Sequence, residues 1–173
     1  GAAQHLRDAR ITTIYEGTTA IQANDLIGRK IAREGGQTIK TVIAEMRGVV
    51  AQLNGREDAQ LAAIGRALAV GIDALESGVE YILATYSADI KAASVGSVPF
   101  LKLFGIVAGG WQMARAALVC DARLAAGEDD AFYRNKIVTA RFYADHILPQ
   151  AGGLAYTVVN GAPGALALSE EAF

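Results

Sequence analysis

Cysteine is nearly missing from this 173-residue chain: Cys120 is the only one. One thiol cannot form an intramolecular disulfide or a cysteine-based zinc site, and such sparing use suits a reducing compartment, so a cytoplasmic location is expected. Proline is scarce, at three residues, and aromatic residues make up 7% of the chain. Few helix breakers, with abundant Ala and Leu, favour long packed helices over disorder. Charge of one sign is also lacking, since the formal net charge is −2. No basic excess is present to neutralise a phosphate backbone, which excludes nucleic acid as the expected partner. The most apolar stretch, Val98 to Cys120, is interrupted by Lys102, Gln112 and Arg115. It makes a poor membrane span, and none is expected. The chain opens with Gly-Ala-Ala-Gln-His instead of Met, with no signal peptide in view, and is read as a piece of a longer protein.

What is present is helical periodicity. Apolar residues recur at three and four positions almost throughout, and no segment alternates as a strand does. Ala20, Ala23, Ile27 and Ile31 mark a first helix that starts near Thr18 or Thr19 and stops at Gly35-Gly36. Ile39, Val42, Ile43, Met46, Val50 and Leu53 mark a second, broken at Asn54-Gly55. A third carries a stripe from Leu61 to Tyr86 and is expected to end near Gly96, ahead of Pro99. The fourth spans Pro99 to Ala126, with Leu101, Phe104, Ala108, Trp111 and Leu118 offered to the core. The fifth runs from Tyr133 to Val158, kinked at Pro149 and weakened at Gly152-Gly153.

Short connections after Gly36 predict an all-α fold: an up-and-down four-helix bundle preceded by a catalytic-loop and helix segment. The division expected is residues 1–36 and residues 37–173. The apolar face of the first segment, including Ile21 and Ile27, is expected to pack on helices outside this chain. Glycines inside the helices (Gly65, Gly71, Gly78, Gly105, Gly109, Gly110) mark close helix approach or a ligand path; close approach is favoured.

Several chemistries find no support. A di-iron bundle needs Glu-x-x-His pairs, and neither His5 nor His146 has a glutamate three residues before it. No metal ligand set is assigned. Nucleophile-elbow, Walker A and dinucleotide fingerprints are missing. Cys120, Trp111 and the aromatic residues Phe104, Phe132, Tyr133, Phe142 and Tyr143 are read as core or interface packing.

One stretch stands apart. In Arg-Ile-Thr-Thr-Ile-Tyr-Glu-Gly-Thr-Thr-Ala-Ile-Gln, from Arg10 to Gln22, a lone carboxylate, Glu16, precedes a glycine and the start of a helix. By composition it is a solvated residue, stabilised by the positive end of that helix. As a base it would need a buried site that raises its pKa, and Gly17 would let backbone approach a ligand closely.

The stretch Ile-Tyr-Glu-Gly-Thr-Thr-Ala-Ile-Gln resembles the signature near the C-terminal end of acyl-CoA dehydrogenases. The flanking Arg-Asp-Ala-Arg-Ile-Thr-Thr and Ala-Asn-Asp-Leu-Ile-Gly-Arg-Lys resemble the 3-methylmercaptopropionyl-CoA dehydrogenase-like branch, which has a helical extension after its catalytic domain. Two later stretches, Leu101 to Leu118 and Phe132 to Gln150, resemble that extension.

The resemblance implies that Glu16 is the catalytic base for the α-proton of an acyl-CoA thioester and that Gly17 contacts substrate. It implies that Thr18 and Thr19 approach FAD. Ala20 stands where many family members have glutamine, so it offers the cofactor no polar side chain. Partners implied are acyl-CoA, an electron-transfer flavoprotein or similar acceptor, and further copies in a homo-oligomer. The isolated chain, lacking the other domains, is expected to be inactive. A non-catalytic helical interaction or oligomerisation module is the alternative.

Overall fold

The computed structural model describes residues 2–12 and 18–172. All regular structure among them is helical. Helix α1 covers Ala2–Ile11, and none of its residues is buried. Helix α2, Thr19–Asp25, runs directly into a π-helical stretch, Leu26–Ala32. Then come α3 (Gln37–Asn54), α4 (Ala59–Thr85), α5 (Ile90–Val95), α6 (Ser97–Ala125), α7 (Ala131–His146), α8 (Gln150–Asn160) and α9 (Ala162–Ala165), with a final 3₁₀ turn, Glu170–Ala172.

Local chemistry sets most boundaries. Gly35 and Gly36 adopt φ of +60° and +76°, left-handed values that let the chain leave the π-helix and enter α3. Asp58 caps α4 by accepting from the backbone N–H groups of Gln60 and Leu61, at 2.8 and 3.0 Å. Asp130 caps α7 in the same way through Phe132.

α3, α4, α6 and the α7–α8 pair form the four-helix bundle. α4 and α6 are its centre, and each touches α3, α7 and α8. By length and composition α6 is the one described helix that could cross a membrane. Its apolar residues Phe100, Leu103, Val107, Ala114 and Ala117 are instead fully buried, and neighbours on several sides account for its character.

The core follows the predicted stripes on α3 and α4 closely. Leu61, Ile64, Leu68, Ile72, Leu75 and Ile82 are at most 1% exposed. Four expectations are corrected. The third helix ends at Thr85, not near Gly96, because the Asp89 carboxylate accepts from Ala92 N–H at 2.9 Å and starts α5 as a new helix. On α6 the buried line is Phe100, Leu103, Val107, Gly110, Ala114 and Ala117. Phe104, Ala108, Trp111 and Leu118 only flank it. A helix apolar on most sides has no single stripe for periodicity to reveal. Pro149 separates α7 from α8 outright, and Gly152-Gly153 lies within an unbroken α8. Finally, Ile21 is 64% exposed, but Ile27 and Ile31 are buried in the same core as the bundle.

Of the six helix glycines singled out by sequence, five sit at close approaches. A Cβ on Gly110 would lie 2.7 Å from Leu148 Cδ2, and one on Gly71 would lie 3.1 Å from the same atom. Leu148, at the α7–α8 break, thus fills a socket made by glycines of two helices. Gly65 and Gly78 are crowded by Leu53 and Phe100, and Gly109 by the Tyr143 hydroxyl. Gly105 has open space.

Candidate active site

Of the residues singled out by sequence, Thr18 and Thr19 stand where α2 begins. Glu16 and Gly17 lie outside the described residues. Thr18 is the last residue before α2, with φ +40° and ψ 100°. A β-branched residue at positive φ is a conformational outlier, a kind of strain that costs on the order of 1–3 kcal/mol and concentrates at functional positions. Thr18 occupies the N-cap position of α2, yet its hydroxyl makes no capping hydrogen bond. Its carbonyl accepts instead from Ile21 N–H at 3.0 Å. Thr18, Thr19 and Ile21 are all exposed. Two threonines and an exposed isoleucine therefore lie together at the start of α2.

No cluster of three or more His, Cys, Asp or Glu side chains suited to a metal ion occurs among the described residues. His146 is exposed and stacks on Phe142, with ring centroids 4.4 Å apart. Its neighbours Arg141 and Asp145 pair with each other at 2.7 Å. Cys120 is buried, 4% exposed, as its reading as core requires. Burial pushes its thiol pKa up, and nearby Lys136 opposes the shift.

Two clefts escaped the sequence reading. The first, about 300 Å³, lies against the π-helix and is bordered by Gly28, Arg33, Tyr86 and Ser87. The second, about 400 Å³, lies between α6 and α7 and is bordered by Arg115, Val119, Cys120, Phe132, Tyr133 and Lys136. Phe132 is 59% exposed there and is not a core residue. A signal for the second cleft was available. Gln112 and Arg115, which interrupt the apolar run of α6, share one helical face with Val119.

The family described as acetyl-CoA dehydrogenase C-terminal like matches residues 42–169. The chain belongs to that family. This acetyl-CoA dehydrogenase C-terminal-like chain is 46% identical over 148 residues to a 3-methylmercaptopropionyl-CoA dehydrogenase of Ruegeria pomeroyi, covering 86% of the chain and 25% of the relative. It is 34% identical over 154 residues to the broad-specificity linear acyl-CoA dehydrogenase FadE5 of Mycobacterium tuberculosis, covering 84% of the chain and 25% of the relative. A butyryl-CoA dehydrogenase of Syntrophomonas wolfei is 31% identical over 179 residues, covering 99% of the chain and 28% of the relative. The chain therefore spans about a quarter of the length of the curated relatives it matches.

Proposed function

We propose that these residues are the C-terminal part of a flavin-dependent acyl-CoA dehydrogenase that desaturates an acyl-CoA thioester between its α and β carbons. The observation that carries this reading is the 46% identity over 86% of the chain to a 3-methylmercaptopropionyl-CoA dehydrogenase. Residues 1–36 are the end of the catalytic C-terminal domain, and residues 37–173 are its helical extension. The chain alone is inactive. In the parent, the partners are the acyl-CoA, an electron-transfer flavoprotein or similar acceptor, and further copies in a homo-oligomer. The location is cytoplasmic, and the role belongs to fatty acid metabolism.

Glu16 is the base. Its carboxylate takes the α-proton, a weak carbon acid that only a desolvated base of raised pKa removes readily. Gly17, without a Cβ, lets the thioester lie close to the backbone. Thr18 and Thr19 present their hydroxyls to the cofactor at the start of α2. The FAD that Thr18 and Thr19 would help to hold would supply the acceptor for the hydride leaving the β-carbon.

The test is anaerobic flavin reduction by acyl-CoA in the full-length parent, with the 173-residue chain alone run beside it. Glu16→Gln keeps shape and removes the base. Reduction should slow by about 10²–10⁴ with flavin content unchanged, the usual cost of losing a general base. The chain alone should give no flavin signal. Wild-type rates in the variant would assign the base to another residue.

A further inference from the structure

The groove between α6 and α7 takes no part in that chemistry. Its floor and walls are apolar, from Val119 and Cys120 on one side and Phe132 and Tyr133 on the other. Val119 and Phe132 are each 59% exposed, so the walls open to solvent. Two cations border it. The Arg115 guanidinium lies 5.3 Å from the Trp111 ring centroid, and Lys136 Nζ lies 5.5 Å from that of Phe132. Neither cation pairs with an acid among the described residues. Arg115 donates only to a neutral group, Gln112 Oε1, at 3.0 Å.

No carboxylate lines the groove. Two acids act on Tyr133 from beside the groove: Asp130 is engaged in capping α7 through Phe132 N–H, and Glu128 is already matched. It accepts from Arg123 at 2.7 Å and from the Tyr133 hydroxyl at 3.0 Å. The Arg123 hydrogen bond, then that of Tyr133, lowers its pKa. The two positive charges of the groove are thus left unbalanced, and they are held over aromatic faces instead of acids. A volume of about 400 Å³ is in the range of small-molecule sites.

We propose that this groove binds a nucleoside phosphate, its base against the Phe132 and Val119 wall and its phosphate between Arg115 and Lys136. An aromatic wall favours a planar group, because stacking on a π-face is sequence-tolerant and favourable. Two cations favour a multiply charged anion over a single carboxylate, and a guanidinium suits phosphate geometry.

Calorimetric titration of the 173-residue chain tests this with ADP, adenosine, inorganic phosphate and benzoate. Trp111, the single tryptophan, lies beneath Arg115, so its emission supplies a second readout. ADP should saturate the site, and each of the other three should bind at least about tenfold more weakly. Lys136→Gln and Arg115→Gln should each weaken ADP by about tenfold or more while helical circular dichroism is kept, and Lys136→Arg should restore most of the affinity. Three results would each overturn the proposal: no saturation by about 10 mM ADP, phosphate binding as tightly as ADP, or variants that bind like the wild type.

Discussion

Tyr143 and Gly109 show how much rests on single atoms. The Tyr143 hydroxyl donates to the Ile106 carbonyl at 3.0 Å and occupies the space a Cβ on Gly109 would need. Burial raises the Tyr143 pKa, which keeps the hydroxyl a donor. Gly109→Ala gains helix propensity of about 1 kcal/mol but must displace this hydroxyl, and overpacking costs about 1–3 kcal/mol. Net destabilisation is expected in urea denaturation. Tyr143→Phe alone should cost about 1 kcal/mol through the lost hydrogen bond. The double variant should be more stable than the sum of the two implies, because the clashing oxygen is gone. Strict additivity would mean that the two residues do not share this space.

At the scale of elements, caps do the work that periodicity cannot. Asp58 satisfies two of the free N–H groups at the start of α4, the longer of the two helices flanking the first bundle turn. Asp58→Ala should lower stability by about 1 kcal/mol in the same assay, and Asp58→Asn should recover most of it. Equal losses in both variants would assign the effect to charge instead of capping. This element also shows what a sequence conveys. The α4 stripe is legible because one face is buried, and its residues recur at helical spacing. α6 is less legible because its neighbours lie on several sides, so the buried line falls beside the residues first chosen. The π-helix has no signature of its own. Its i→i+5 pattern, as in Arg33 N–H to Gly28 O at 3.0 Å, comes with a close approach of Gly28 to the Tyr86 hydroxyl, a contact between distant segments. At the candidate site, Glu16 rests on a motif in its context and lies outside the described residues. Of the α6–α7 groove only the α6 side left a signal, Gln112 and Arg115 on the face of Val119, because the rest of its lining comes from a second helix that only the fold brings alongside.

Among the described residues one continuous core runs from Ile27 in the π-helix to Val158 in α8. Ile27→Ala should therefore destabilise the entire bundle, by about 2–5 kcal/mol as for other fully buried aliphatic truncations. Hydrogen exchange of the backbone amides from 27 to 32 should be as slow as that of α3. Fast exchange there, with bundle stability unchanged in the variant, would mean that the segment folds apart from the helices it touches. The Leu148 socket bears on a different matter, the handedness of the assembly. Up-and-down bundles can turn either way around their axis, and short loops alone do not choose. Gly71 on α4 and Gly110 on α6 are hollowed toward the side where the α7–α8 break lies. In the mirror arrangement that break would face the opposite side of the α4–α6 pair. Leu148 would meet no hollow there, and the two glycines would be left without a side chain to fill them. One leucine and two missing methyl groups thus discriminate between topologies that the hydrophobic pattern leaves equivalent.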